Sequence, residues 1–261
     1  MPDEDDLPVS SAAALAAAMF GDTLPQAEKY AALLTGSGVE RGVVGPAEAD
    51  KIWDRHLLNS GALARLIPAK CTLVDLGSGA GLPGIVLAIL LPGAKVTLLE
   101  PLARRVEFLE ECIDVLGLAN TQVVRGRAED LAGRMLADVV TSRAVAPLDK
   151  LAGLSVGLAR PGGRVLAIKG SSAEAELVRA RPVLARLGVT DARVVQVGGA
   201  GGGVTATVVT FTAPEHRSSG AGSGGRAAAR SDSRPGGRPG SRAASAAGAR
   251  QPRPNSRRGG G

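Results

Sequence analysis

A doubly wound α/β fold, with a seven-stranded, mostly parallel sheet and helices on both faces, is predicted by three observations. Apolar runs of strand length alternate with segments of helix length from Cys71 to Phe211. The first run enters a glycine-rich turn, "LVDLGSGAGLPGIVLAILL" at 73 to 91, with four glycines within eight residues. The last two runs follow one another without a helix, which predicts an antiparallel hairpin at their end of the sheet.

The elements follow in order. Residues 1 to about 70 read as a helical extension: an Ala-rich segment, then "LPQAEKYAALL" (24 to 34), then "PAEADKIWDRHLLNSGALARLI" (46 to 67). In the last of these, Ile52, His56, Leu57, Asn59 and Ser60 recur at three- and four-residue intervals, so one face mixes apolar and polar groups and suits both core and ligand. Strands are expected at 72–76, 94–99, 121–125, 137–141, 164–168, 192–197 and 204–211. Helices are expected near 84–91, 102–116, 148–159 and 173–187, the last broken or bent by Pro182. Pro83 and Gly84 fit a helix opening, where a missing amide costs little. The "GGAGGG" connection before the last strand is longer than a tight turn. Residues 71–212 thus form the α/β domain, and 213–261, composed of Gly, Ser, Ala, Pro and Arg, are expected to be a disordered tail because they cannot bury enough apolar surface to offset ordering.

The chain has 261 residues and is 44% hydrophobic, enough for one α/β domain with a sizeable core. Its basicity, a net +6 overall, is concentrated: from Pro214 to Gly261 ten Arg face one Asp and one Glu, a net +8, which leaves −2 for the rest. An arginine-rich arm of this kind can attract phosphates without regard to sequence, or be a solvated tail of no specific role. Cys71 and Cys112 have no metal or disulfide spacing and read as reduced, small hydrophobes. With an acidic "MPDEDD" start and no apolar stretch long enough to span a bilayer, a cytoplasmic protein is expected.

Two glycine patterns overlap in the turn. Gly79, Gly81 and Gly84 fit the dinucleotide pattern G-x-G-x-x-G, whereas Gly77, Gly79 and Gly81 fit the G-x-G-x-G of methyl-donor enzymes. Asp75 lies two positions before the first of these glycines, where a carboxylate would repel a pyrophosphate and favour the cationic S-adenosylmethionine. Glu100, at the end of "AKVTLLE", is placed to accept hydrogen bonds from ribose hydroxyls, a role common to nucleoside sites of either kind. Ala128, Glu129 and Asp130 follow the third strand, where an acid can receive an adenine amino group; Glu129 equally suits a helix start. Together with the closing hairpin, these favour the methyltransferase variant of the fold.

The acceptor is narrowed by elimination. The chain has "TSRAVAP" (141 to 147) where enzymes that methylate exocyclic amines of bases carry an N/D/S-P-P-Y/F motif, and no Pro-Cys motif for attack on a pyrimidine ring. A ring nitrogen with a free lone pair, such as N7 of guanine, needs positioning and electrostatics but no catalytic base.

The sequence resembles the bacterial small-subunit rRNA guanine-N7 methyltransferases, also called glucose-inhibited division protein B. The likeness is carried by "DRHLLNS" (54–60), "DLGSGAGLPG" (75–84), "LLEPLARRVEFL" (98–109), "GRAED" (126–130), "TSRA" (141–144) and "LAIKG" (166–170). It implies a class I methyltransferase fold, S-adenosylmethionine as donor, and a guanosine of 16S rRNA, free or in the 30S subunit, as acceptor. It carries donor contacts onto Gly77, Leu82, Ala128, Glu129 and Arg143, with Glu100 at the ribose. An Asp is common in the family where this chain has Asn59, whereas His56 and Ser60 match. His56 is then expected at the mouth of the site, Arg143 against the donor carboxylate or an RNA phosphate unless it pairs with Asp54 or Asp138, and Lys169 against RNA phosphate or guanine O6. Arg125 and Arg127 would extend a basic rim, while Tyr30 and Trp53 read as core. A monomer without a metal site is expected. Three alternatives stand beside this reading: a small-molecule methyltransferase, a non-catalytic RNA-binding assembly factor, and a dinucleotide oxidoreductase.

Overall fold

The computed structural model describes residues 12–198 and 205–215 of the chain. The "GGAGGG" connection after Gly198 and the expected tail beyond Glu215 lie outside them. The described chain opens with α1 (Ala12–Phe20), α2 (Leu24–Thr35) and α3 (Ser37–Glu40). Residues 46–66 then form a run of short helical pieces rather than the expected uniform helix: a 3₁₀ segment Pro46–Lys51, a π-helical segment Ile52–Leu58, one turn of α4 (Asn59–Gly61) and a second 3₁₀ segment Ala62–Leu66. The α/β part follows as β1 (Thr72–Leu76), α5 (Gly84–Leu90), β2 (Lys95–Glu100), α6 (Ala103–Leu116), β3 (Thr121–Arg125), α7 (Ala128–Leu131), β4 (Ala137–Arg143), α8 (Leu148–Leu158), β5 (Ala159–Lys169), α9 (Ala173–Arg186), β6 (Arg193–Gly198) and β7 (Thr205–Thr212).

The seven strands form one sheet in the order β3-β2-β1-β4-β5-β7-β6. Strands β1 to β5 pair in parallel, and β7 lies antiparallel between β5 and β6, as the absence of a crossover helix required. Because successive side chains of a strand point to opposite faces, the sheet builds two cores. Leu73, Val96, Leu98, Val139 and Leu166 face the amino-terminal helices, α5 and α6. Val74, Leu76, Val140, Val165 and Ala167 face α8 and α9. The chain runs outward from β1 to β3 and returns to β4 on the other side of β1, so the strand order reverses between the carboxyl ends of β1 and β4. That reversal leaves a crevice, the place where open α/β sheets bind ligands.

Three boundaries depart from the expectation. Strand β5 begins at Ala159, not 164, because pairing with β4 resumes at Ala137 across an irregularity in register. The ladder also runs one residue past β7, with the Ala213 amide donating to the Gly163 carbonyl at 2.8 Å. Helix α9 continues through Pro182, which sits on the exposed side, where water can receive the carbonyl that proline leaves unpaired.

Gly84 at the start of α5 is dictated by contact. A Cβ there would lie 2.3 Å from Leu98 Cδ2 and 2.7 Å from Asp75 Oδ2. Gly84→Ala is therefore expected to lower unfolding free energy by about 1–3 kcal/mol through overpacking; a urea midpoint equal to that of the natural chain would show that α5 can shift at no cost.

Candidate functional site

The crevice is built on the loop 77–83 between β1 and α5. Gly77 has φ +68°, and a Cβ would stand 2.8 Å from Val145 Cγ2, so only glycine lets this turn close beneath Val145. The amides of Gly77 and Ser78 donate to the Leu99 carbonyl at 2.9 and 3.1 Å. Glu100, 1% exposed, accepts from the Gly79 amide through Oε2 at 2.9 Å and from the Leu102 amide through Oε1 at 3.0 Å. Arg105 NH1 lies 3.8 Å from the same carboxylate, and its Nε is buried without a partner among the described residues. Tyr30 of α2, fully buried, holds the loop from the other side, its hydroxyl donating to the Ala80 carbonyl at 2.7 Å.

Two cavities open at the crevice. One, of about 350 Å³, is bounded by Gly77, Glu100, Leu102, Arg105, Ala128 and Glu129. The other, of about 690 Å³, is bounded by Arg55, Asn59, Arg143, Lys169, Glu176 and Arg179. Ala144 and Val145 border both, so the cavities adjoin across two residues. Ala144 has φ +54°, a conformation costly for a residue with a Cβ and one that concentrates at functional sites.

Arg143, at the carboxyl end of β4, reaches into the helical run 46–66. Its NH2 donates to the Arg55 carbonyl at 3.0 Å and to His56 Nδ1 at 2.8 Å; its NH1 is 3.4 Å from both the His56 carbonyl and Ser60 Oγ. The widened π-helical segment presents these carbonyls, an irregularity often found at functional sites. These partners are neutral, in place of the Asp54 or Asp138 considered from sequence; Asp138 binds Thr72 and Arg160. The positive charge of Arg143 thus has no carboxylate partner among the described residues. Burial holds His56 below the usual imidazole range, with Arg143 acting in the same direction and Glu48 opposing. Lys169, at the end of β5, donates to the Ala146 carbonyl at 2.8 Å and to Glu176 Oε2 at 2.9 Å.

Of the residues selected from sequence, the fold brings Gly77, Glu100, Ala128 and Glu129 to the smaller cavity and Arg143 and Lys169 to the larger one; His56 stands directly behind Arg143. Gly79, Gly81 and Leu82 shape the loop without lining either cavity. Asp75 is also outside both. It is fully buried, its Oδ2 accepting from the Gly84 amide at 3.1 Å and its Oδ1 from the Thr141 hydroxyl at 3.3 Å, so it secures the start of α5 where a direct ligand contact was expected. Arg127 borders the smaller cavity and Arg125 does not. Trp53 packs edge-on against Phe20, and Tyr30 is core, as read from sequence. Sequence reasoning missed Ala144, Val145, Glu176, Arg55 and Arg179, whose place on the walls depends on backbone course across the crevice.

A family model described as rRNA small subunit methyltransferase G matches residues 23–203. The chain belongs to this family. It is similar to the ribosomal RNA small subunit methyltransferase G of Thermobifida fusca, with 53% identity over 74% of this chain and 82% of that protein. It is likewise similar to the protein of that name from Mycobacterium sp. strain JLS, with 56% identity over 69% of this chain and 81% of that one. Among solved structures, a SAM dependent methyltransferase from Aquifex aeolicus aligns at a TM-score of 0.47 and 21% identity, over 64% of this chain and 98% of that chain. The family match spans every motif quoted above. Among the described residues there is no His, Cys, Asp and Glu cluster able to hold a metal ion, and no helix long and apolar enough to cross a membrane.

The buried carboxyl of Asp75 is pushed up to about 6 by burial, against the pull of its hydrogen bonds. The unfolded chain titrates it near 4, so between about pH 4 and 6 the folded state holds the extra proton and stability falls as pH rises; above 6 both states are ionised and the contribution is constant. The stability difference between the natural chain and Asp75→Asn, from urea unfolding at a series of pH values, should decline across that window by on the order of 3 kcal/mol and then level off. A difference independent of pH would show that the carboxyl ionises as readily folded as unfolded.

Proposed function

We propose that this protein transfers the methyl group of S-adenosylmethionine to N7 of a guanosine in 16S rRNA of the small ribosomal subunit. The observation that carries the reading is the pair of adjoining cavities at the sheet's reversal point in a member of this family: a nucleoside-sized one ending in a buried carboxylate, and a larger one walled by cations. In this reading residues 71–212 form the donor-binding domain and residues 1–70 a helical extension that completes the acceptor side.

The smaller cavity fits the donor's adenosine. Glu100 has lone pairs left after its two loop contacts, which suits ribose hydroxyls, and Ala128 and Glu129 lie where an adenine edge would reach. When bound, the donor supplies a methyl group made electrophilic by a positive sulfur. Gly77 gives the ligand close access to the backbone, and Ala144 and Val145 stand between donor and acceptor. Arg143, cationic and unmatched by a carboxylate, suits the donor's carboxylate or an RNA phosphate.

On the acceptor side, the guanine N7 lone pair forms the new N–C bond as the C–S bond breaks, and no proton leaves in that step. The protein's task is then placement and electrostatics. The product base is cationic, so bare positive charge beside it would oppose transfer. Lys169 avoids this: Glu176 balances its charge, leaving an ammonium able to donate toward O6 with little net field. Arg55 and Arg179, exposed at the rim, suit backbone phosphates.

Labelled donor incubated with 16S rRNA or 30S subunits lacking the modification should place the label at N7 of a guanosine; label on an exocyclic amine or a ribose oxygen would overturn the acceptor assignment. Glu100→Gln keeps the size of the side chain but removes its charge and half its acceptor capacity, and should weaken donor binding at least about tenfold by calorimetry. Unchanged affinity would remove Glu100 from the donor site.

A further inference from the structure

The contacts of Arg143 lead to a residue beyond the cavity walls. A guanidinium has only donors, so His56 Nδ1, 2.8 Å from Arg143 NH2, accepts. Neutral His56 therefore carries its proton on Nε2, and that nitrogen is 2.8 Å from Glu48 Oε2. Of the four polar contacts that hold the guanidinium among the described residues, the His56 contact is the shortest; two of the others are at 3.4 Å. Glu48 belongs to the 3₁₀ segment Pro46–Lys51, lies outside the quoted family motifs, and borders neither cavity.

We propose that Glu48 is a positioning residue for methyl transfer: by accepting the Nε2 proton it holds His56 in the one neutral tautomer whose Nδ1 can fix the Arg143 guanidinium on the wall of the larger cavity. The proposal rests on reading that cavity as the acceptor site. A metal-bound histidine is commonly oriented in the same way, by a carboxylate on its other nitrogen; here the oriented group is a cation of the protein itself.

The charged groups facing His56 are Glu48 from the 3₁₀ segment, Arg143 from β4 and Arg55 from its own segment. Protonated His56 would turn an N–H toward the guanidinium and lose the contact, so transfer should fail as pH drops through the lowered pKa of His56. Glu48 opposes that lowering. Replacing it with a neutral acceptor should move the acid limb of the rate profile to lower pH, while replacing it with no acceptor should free the tautomer.

The test compares the full chain with Glu48→Gln and Glu48→Ala. Imidazole nitrogen NMR reads the His56 tautomer independently of turnover, and kcat and KM on 30S subunits are taken across pH with donor affinity measured in parallel. Glu48→Ala should give mixed tautomers and a kcat lower by at least about tenfold with donor affinity kept, because misplacement of a wall residue acts on the transfer step. Glu48→Gln should keep the Nε2–H tautomer, recover most of the rate, and shift the acid limb downward. Glu48→Ala equal to the natural chain in kcat and acid limb, or an Nδ1–H tautomer in the natural chain, would overturn the proposal alone. No turnover by the natural chain on either RNA substrate would instead overturn the reaction assigned to the site.

Discussion

Two buried carboxylates hold the glycine loop, and the site is arranged around that constraint. Asp75 and Glu100 are both almost completely removed from water, a costly placement for carboxylates unless hydrogen bonds replace the lost hydration. Four donors supply them: the Gly79 and Leu102 amides serve Glu100, and the Gly84 amide and Thr141 hydroxyl serve Asp75. The dependence is mutual, because those amides belong to a turn or a helix start and would otherwise lack backbone partners. Tyr30 closes the arrangement from the amino-terminal side, so the loop is anchored by three separate elements.

The two carboxylates nevertheless have different places. Glu100 borders the smaller cavity and retains acceptor capacity toward it, while Asp75 is turned into the packing between β1, β4 and α5. A negative charge near the loop still disfavours a diphosphate through space, but the carboxylate that lines a cavity is the one at the end of β2.

Arg143 plays the corresponding part on the other side of the crevice. It joins the strand end to the helical run 46–66 through neutral partners, so its charge remains available at the cavity wall. The His56 carbonyl also accepts from the Asn59 amide within the run, so it serves the helical backbone and Arg143 together. The amino-terminal region is thereby part of the site as well as a cover for one sheet face.

The alternation of apolar runs, the glycine turn and the missing last crossover were enough to determine the sheet, its closing hairpin and the end of the strands where a ligand belongs, because those features depend on local periodicity and chain connectivity. Glu100, Ala128, Glu129, Arg143 and Lys169 were legible for the same reason: each ends or follows a strand, and parallel strands bring their ends to one edge. The direction in which Asp75 points, the wall formed by Ala144 and Val145, and the line from Glu48 through His56 to Arg143 were decided only by tertiary structure. They join residues from eight to nearly ninety positions apart or depend on one backbone torsion, and neither a side-chain contact of that kind nor a strained φ leaves a periodic mark in the chain.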